Sequence, residues 1–392
     1  MTVANGTYDP AFAGLAELLG KLAADGSELG ASVSVWHGSN NPVEIWAGSA
    51  DSAKTRPWNQ DTIANVFSCT KTISALSILV LHDRGLLSVF DPVAKHWPEF
   101  AANGKDAILI AHLMSHTSGV AGWDDPITLE QVYDTAYATA KLAAQAPWWT
   151  PGTASGYHGQ NQGQLLGEVV RRVSGKSLKE FVRTEIAEPL GADFQVGAVE
   201  ADWHRCAEII PPEMPVDAAA LMDPNGFPFR MMSNPPLDAT AANTEGWRRA
   251  ELGAINGHSN AQGLAKVLHV ISNYGKTADG RQFLKEETVD LIFQVQAEGT
   301  DMVLGVPLRM GIGFGLSSAD GVESVPFMPK GKVAFWGGWG GSICLLDVEN
   351  GVTVTYAMNK MGLGTLGNER TGQYVEEVYK VLGAKGVGKA RI

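Results

Sequence analysis

Apolar residues repeat at helical spacing in two segments near the start of the chain. A helix of about 14 residues is predicted to end near Gly26, and its apolar face is formed by Leu15, Leu18, Leu19 and Leu22. A second helix is predicted from Thr70 to about Arg84, with an apolar face formed by Ile73, Leu76, Leu79 and Val80. Such one-sided spacing indicates helices that bury one face against the rest of the fold.

Runs of β-branched and aromatic residues predict strands at both ends of the chain. The predicted strands are Ala31–Trp36, Val43–Trp46, Thr62–Phe67, Val333–Phe335, Ser342–Asp347 and Val352–Met358. The connection 37–42 is rich in turn formers and predicts a hairpin, as does the turn Glu349–Gly351. A terminal helix is predicted from about Asn368 to Leu382.

Between these ends, residues 86–200 are predicted to be mostly helical, with Gln164–Val173 and Ser177–Ile186 as examples. Residues 200–250 are rich in proline, asparagine and methionine, which predicts a long irregular excursion of the kind that forms substrate-site loops. The order of elements indicates an α+β fold, in which an antiparallel sheet from both chain ends is flanked by the N- and C-terminal helices. The predicted domains are 1–85 with 250–392 for the sheet, and 86–249 for an inserted helical domain with irregular loops.

Composition and charge narrow the class of protein. The chain has 392 residues, of which 45% are hydrophobic and 18% charged, so it has enough apolar material for a large core. Its formal charge of −12 repels phosphate backbones and anionic lipid, which argues against nucleic-acid and membrane partners. No apolar run approaches the ~18 residues of a membrane span, and no secretory signal is visible at the N-terminus. We therefore expect a soluble, cytoplasmic protein.

The cysteines and histidines do not predict a disulfide framework or a metal site. Cys69, Cys206 and Cys344 are an odd number without a CxxC pair, so free thiols are expected. His112 and His116 have a metal-like spacing, but the glutamate of an HExxH motif and a third ligand are missing. A structural or hydrogen-bonding role is favoured for this pair, and neither a metal nor a cofactor is predicted.

Ser68-Cys69-Thr70-Lys71 lies where a predicted strand meets an apolar helix. Residues i and i+3 share a helical face, so the Lys71 amine can reach the Ser68 hydroxyl and take its proton if burial lowers the lysine pKa. The helix N-terminus adds N–H groups that stabilise an oxyanion. The tetrad alone is a weak signal, because a capping serine followed by a solvent-exposed lysine gives the same pattern.

Three further segments strengthen the catalytic interpretation: Leu113–Gly119, Ser155–Gly159 with Tyr157 inside it, and the glycine-rich Phe335–Ser342. Together with the tetrad they resemble the serine β-lactamase and penicillin-binding protein superfamily over about 10–385. The chain is most similar to the esterase branch of that superfamily, the family VIII carboxylesterases related to class C β-lactamases. The resemblance implies a β-lactamase/transpeptidase-like fold.

The resemblance also implies roles for particular residues. Ser68 matches the nucleophile, Lys71 the adjacent lysine, and Tyr157 the tyrosine that acts with lysine as base and then as leaving-group acid. Which of Lys71 and Tyr157 is the general base stays open. The backbone N–H groups of Ser68 and Trp339 match the two oxyanion-hole donors.

Two departures from the family pattern bear on the substrate. Trp336-Gly337-Gly338, the predicted substrate-pocket residues, stand where β-lactamases usually carry Lys-Thr-Gly, and an indole cannot pair with a carboxylate as an ammonium does. Gly159 replaces the amide side chain of a Tyr-x-Asn motif. Both changes weaken the case for efficient β-lactam hydrolysis and favour a small-molecule ester of less polar character.

The predicted activity is therefore a cofactor-free serine hydrolase that cleaves carboxylic esters of short to medium acyl chain through an acyl-enzyme on Ser68. An acyltransferase and an amide or β-lactam hydrolase, such as an amidase or D-amino-acid peptidase, stay open, as do the natural substrate and the oligomeric state. An α/β-hydrolase would need a G-x-S-x-G elbow, which Gly257–Ala261 only approaches, and Ser259 is predicted instead to cap a helix. A sensor module that acylates slowly would lack the Lys71–Tyr157 pair.

Overall fold

The computed structural model describes residues 4–212 and 223–383. Positions 1–3, 213–222 and 384–392 lie outside the described residues, and so does the part of the predicted 200–250 excursion that falls between 213 and 222. In the described part of the chain, none of the helices combines the length and the apolar character that crossing a bilayer requires.

Strands and helices follow one another along the whole of the described chain. The strands are β1 Asn5–Tyr8, β2 Gly30–His37, β3 Asn40–Gly48, β4 Ala64–Asn65, β5 Phe194–Val196, β6 Gly257–Ser259, β7 Ala297–Thr300, β8 Pro307–Met310, β9 Gly315–Leu316, β10 Val333–Gly337, β11 Ile343–Asp347 and β12 Val352–Met358.

The α-helices are α1 Ala13–Asp25, α2 Thr70–Asp83, α3 Val93–His96, α4 Ile110–Met114, α5 Leu129–Tyr133, α6 Thr135–Ala144, α7 Gln162–Ser174, α8 Leu178–Phe181, α9 Glu188–Leu190, α10 Phe227–Ser233, α11 Glu245–Arg249, α12 Ala261–Ser272, α13 Glu286–Ile292 and α14 Glu369–Leu382. Short 3₁₀ segments cover Pro10–Phe12, Pro98–Gly104, Glu200–Arg205 and Ala239–Asn243, and a π-helical segment covers Val182–Ala187.

Nine strands form one antiparallel sheet in the order β1-β3-β2-β12-β11-β10-β9-β8-β7. The two chain ends meet where β2 pairs with β12, with Val33 opposite Tyr356. Successive strand residues point to opposite faces: Thr355 bonds to the Ala261 carbonyl of α12, whereas Tyr356 packs against Tyr374 of α14. Helices thus cover both faces of the sheet, and the predicted α+β fold is confirmed. The domain boundaries stay a prediction.

The structure corrects several local predictions. The hairpin between β2 and β3 turns at Gly38 and Ser39 alone, because Asn41 and Pro42 already belong to β3. The predicted strand Thr62–Phe67 shrinks to β4, which joins β5 and β6 in a separate small sheet. The predicted excursion 200–250 contains short helices in its described parts. Strands β1 and β7–β9 were not predicted, because they are short and carry few apolar residues.

The prediction that Ser259 caps a helix is wrong by one residue. Ser259 ends β6, and the side chain of Asn260 accepts a hydrogen bond from the Gly263 N–H at the start of α12. The Ser259 hydroxyl is buried and donates to the Asp193 carbonyl at 2.6 Å. Ser259 is therefore a structural serine, and the α/β-hydrolase alternative has no exposed nucleophile there.

Candidate active site

Ser68 lies in a tight turn immediately before the buried helix α2. Phe67, just before it, has a φ of 44°, a left-handed conformation that few non-glycine residues adopt. Backbone bonds from Cys69 to Val66 and from Thr70 to Phe67 close the turn. These bonds fix the Ser68 side chain beside the first turn of α2, where it is 4% exposed.

Three side chains from separate parts of the fold meet at the Ser68 hydroxyl. Lys71 Nζ, one helical turn further along, lies 3.1 Å from Ser68 Oγ. The Tyr157 hydroxyl donates to the same oxygen at 2.5 Å, although the two residues are 89 positions apart in sequence. The structure thus brings together the three side chains that the sequence analysis singled out.

Burial sets the protonation of this cluster. Lys71 is buried without a carboxylate ion-pair partner among the described residues, and this desolvation lowers its pKa well below the usual value. Burial raises the pKa of Tyr157, and the hydrogen bond to Ser68 only partly opposes this effect. Both shifts favour the uncharged forms of the two groups, a neutral amine and a protonated phenol.

Two backbone carbonyls complete the surroundings of Lys71. Its Nζ donates to Gly159 O at 2.7 Å and to Ala254 O at 2.9 Å. These acceptors are not visible in a sequence motif, because every residue carries a carbonyl and only the fold aims it. They hold the amine at one place while leaving its third direction to Ser68.

The Tyr157 ring is held by a buried aromatic cluster. Its centroid lies 5.0 Å from that of His116 and 5.5 Å from that of Trp336. His116 Nδ1 accepts the backbone N–H of His158 at 3.1 Å, while the His158 ring contacts Ser118 and the Gly156 carbonyl. Burial lowers the pKa of His116 and brings that of His158 to about 4, so both imidazoles are neutral near pH 7.

His112 and His116 therefore have hydrogen-bonding roles. His112 Nδ1 accepts the backbone N–H of Leu109 at 3.2 Å, and His116 accepts that of His158. Within residues 4–212 and 223–383, no group of three or more His, Cys, Asp and Glu side chains is arranged to hold a metal ion. The three cysteines are free and buried.

The end of β10 packs directly against the Ser68 turn. A Cβ at Gly338 would lie 2.4 Å from the Val66 carbonyl, and a Cβ at Gly337 would lie 2.6 Å from the Thr365 carbonyl. A larger residue at position 338 would force the strand end away from the turn, and one at position 337 would collide with the backbone of Thr365. Gly338 thus allows the chain at the end of β10 to lie close to the turn that carries Ser68, as the predicted pair of oxyanion donors requires.

Trp339 follows these glycines on the same side as Ser68. Its ring packs edge-on against Phe67, with a centroid distance of 5.5 Å. Among the described residues, neither the Ser68 N–H nor the Trp339 N–H donates to a protein acceptor. Both donors are thus available for a substrate oxygen, and their role as an oxyanion hole belongs to the proposal below.

A small, mostly apolar cavity of about 160 Å³ opens beside Ser68 and Tyr157. Its wall is formed by Phe67, Gly159, Gln160, Met231, Met232, Leu237, Ile255, Leu304, Trp339 and Thr365. The predicted pocket residues Trp336, Gly337 and Gly338 are not part of this wall in the described structure. Trp336 is 2% exposed and packs against the Tyr157 ring, so it supports the residue that carries the phenol.

Met231 fills the space that the missing side chain at position 159 leaves. A Cβ on Gly159 would lie 2.5 Å from Met231 Sδ. Met231 comes from α10, in the excursion that the sequence predicted to form substrate-site loops. Among the residues that the structure describes, no charged side chain lines the cavity.

Comparison with known proteins identifies the family to which this chain belongs. A family model described as Beta-lactamase matches residues 15–378, so the chain belongs to the β-lactamase family. A family VIII carboxylesterase of known structure is 34% identical with a TM-score of 0.88, covering 96% of this chain and 99% of that one. The predicted resemblance is thereby confirmed.

Two further relatives carry esterase names. Esterase/beta-lactamase LipL of Mycobacterium tuberculosis is 33% identical over 370 residues, which cover 91% of this chain and 83% of the relative. The structure of EstA from Arthrobacter nitroguajacolicus Rue61a is 26% identical with a TM-score of 0.83, covering 97% of this chain and 98% of that one. The chain is therefore similar along most of its length to serine hydrolases of the esterase type.

Proposed function

We propose that the protein is a carboxylesterase that hydrolyses small-molecule esters of short to medium acyl chain through a covalent acyl-enzyme on Ser68. The observation that carries the proposal is the meeting of Lys71 Nζ and the Tyr157 hydroxyl at Ser68 Oγ, at 3.1 and 2.5 Å. The esterase names of the relatives support the same activity.

Lys71 is the group that takes the Ser68 proton. A neutral amine has two hydrogens and one lone pair, and its two hydrogens are directed at the carbonyls of Gly159 and Ala254. The lone pair then faces Ser68 Oγ. As that oxygen attacks the ester carbonyl, its proton moves to Lys71, and the N–H groups of Ser68 and Trp339 stabilise the oxyanion.

Tyr157 is the group that serves the leaving alcohol. When the tetrahedral intermediate collapses, the phenol gives its proton to the departing alkoxide, which leaves a phenolate beside the Lys71 ammonium. The phenolate then takes a proton from the attacking water, and the ammonium returns the first proton to Ser68 Oγ. The cycle consumes one ester and one water and restores both neutral groups.

The cavity favours esters over carboxylate-bearing β-lactams. The described part of its wall presents thioether, aliphatic and aromatic groups beside Ser68 and no cation. A substrate carboxylate would lose its hydration there without gaining an ion pair, whereas an alkyl ester loses little. The space of about 160 Å³ suits a short acyl or alcohol group.

The proposal is tested by labelling the protein with a fluorophosphonate or an activated ester and mapping the adduct by mass spectrometry. We expect a single adduct on Ser68, and we expect the Ser68→Ala variant to lose at least ~10⁴-fold in kcat. Ser259→Ala is the matched control, because Ser259 is buried and away from this cavity. An adduct on another serine, or turnover retained by Ser68→Ala, would overturn the assignment.

A further inference from the structure

The loop that joins β7 to β8, residues 301–306, holds the backbone of Tyr157 through a buried carboxylate. Asp301 is 1% exposed, and its Oδ1 accepts the backbone N–H of Tyr157 at 3.0 Å. Met302, the next residue, donates its N–H to the Ser155 carbonyl at 2.8 Å. Two hydrogen bonds therefore cross from this loop to the segment that carries the phenol.

The same carboxylate oxygen also organises its own loop. It accepts the N–H groups of Val303 at 3.0 Å and Leu304 at 2.9 Å, so three backbone donors converge on one atom. Leu304 in turn forms part of the cavity wall beside Ser68. A change at Asp301 is thus felt both by the Tyr157 backbone and by one side of the cavity.

We infer that Asp301 is a positioning residue, which fixes the Tyr157 phenol at hydrogen-bonding distance from Ser68 by anchoring the Tyr157 backbone. The inference rests on the proposed function for its effect on the rate. Asp301 is bonded to the Tyr157 backbone and not to the reacting oxygens. Its charge also adds to the effect of burial in raising the pKa of Tyr157, which keeps the phenol protonated and ready to donate.

Asp347 provides a matched control elsewhere in the fold. It is also fully buried, and its carboxylate accepts hydrogen bonds from the Asn350 backbone, the Asn350 amide and the Tyr379 hydroxyl. Replacing either aspartate with alanine leaves buried donors unsatisfied and lowers the melting temperature. Only Asp301→Ala is expected to lower kcat, by about 10- to 100-fold, because a small displacement of a reacting group has this effect.

The Tyr157→Phe background separates positioning of the phenol from a general distortion of the cavity. Once the phenol is absent, Asp301→Ala should cause no further loss in kcat. Asp301→Asn should restore most of the rate, because an amide oxygen accepts the same N–H groups. An equal loss in both backgrounds, or a loss of kcat in Asp347→Ala as large as in Asp301→Ala, would overturn the inference.

A structural readout makes the test independent of turnover. In crystal structures of the two alanine variants, the distance between the Tyr157 and Ser68 oxygens, 2.5 Å here, should lengthen only for Asp301→Ala. An unchanged distance in the Asp301→Ala structure would refute the positioning role. This result does not depend on the Ser68→Ala assay, which tests the esterase assignment separately. If Asp301→Ala does not fold, Asp301→Glu, which moves the carboxylate by one methylene, takes its place in both measurements.

Discussion

Two buried polar clusters, one around Glu28 and one around Ser68, differ in how their charge is compensated, and the contrast between them shows how a functional site differs from a structural one. On the α14 side of the sheet, Glu28 is fully buried but accepts hydrogen bonds from Tyr356 and Tyr374 and forms an ion pair with Arg370. Burial raises the pKa of Glu28, and the Arg370 charge opposes that shift. The negative charge of Glu28 is therefore compensated within its own cluster by the Arg370 guanidinium and the two tyrosine hydroxyls.

At Ser68 the arrangement is different. Lys71 is as buried as Glu28, yet its polar partners are two carbonyls and the Ser68 hydroxyl rather than an opposite charge. Because no opposite charge compensates the amine, burial lowers its pKa and favours the neutral form beside the Ser68 hydroxyl. A compensated buried charge supports the fold, whereas an uncompensated one is available for proton transfer.

Replacing the basic residue of each cluster, Lys71 or Arg370, with methionine gives the largest expected effects. Lys71→Met should lower kcat by about 10³-fold or more, because the serine loses its base, while the melting temperature should change little. Arg370→Met leaves Glu28 buried without its partner and should cost about 3–5 kcal/mol of unfolding free energy, with kcat of the folded protein retained. Steady-state kinetics and thermal melting measure both. Activity lost in both variants, or in neither, would contradict the contrast.

Replacing one tyrosine of each cluster, Tyr157 or Tyr374, with phenylalanine gives a matched pair of variants with smaller expected effects. Tyr157→Phe should lower kcat by about 10²- to 10⁴-fold, because the leaving alcohol loses its proton donor. Tyr374→Phe removes only one of the hydrogen bonds to Glu28 and should cost about 1–3 kcal/mol of stability without changing kcat. Circular dichroism checks that both variants keep the fold. Wild-type turnover in Tyr157→Phe would remove Tyr157 from the mechanism.

The pH dependence sharpens the comparison further. Since Lys71 must be neutral to act, kcat/KM should rise about tenfold per pH unit below the Lys71 pKa and then level off. Burial lowers that pKa, so the plateau should begin well below the usual lysine range. Lys71→Arg should stay inactive at every pH, because a guanidinium does not lose its proton in proteins. A rate that falls with rising pH over the same interval would contradict a neutral base.

The sequence predicted those parts of the site that depend on local geometry or on a family motif. The Ser68–Lys71 contact follows from i, i+3 spacing at a helix start, whereas Tyr157 and the late Trp-Gly-Gly segment were found through resemblance. The overall sheet was predicted from its apolar strands. The short strands β7–β9 lack that signal, so their loop and Asp301 were not found.

Other features depend on which way a side chain or carbonyl points in three dimensions. Trp336 was expected in the substrate pocket, but it packs against the Tyr157 ring and is not part of the described cavity wall. The carbonyls of Gly159 and Ala254 hold Lys71 without any residue-type signature. The role of Met231 depends on long-range packing against Gly159, which no local pattern reveals.

The pairing of β2 with β12 has a consequence for the life of the polypeptide. The nucleophile Ser68 is synthesised well before the segment that approaches it, residues 337–339, and before strand β12, which pairs with β2. A nascent chain on the ribosome therefore carries Ser68 without the backbone groups that would stabilise a reacting ester. Hydrolytic activity should therefore appear only after residues up to Met358 have been synthesised and β12 has paired with β2.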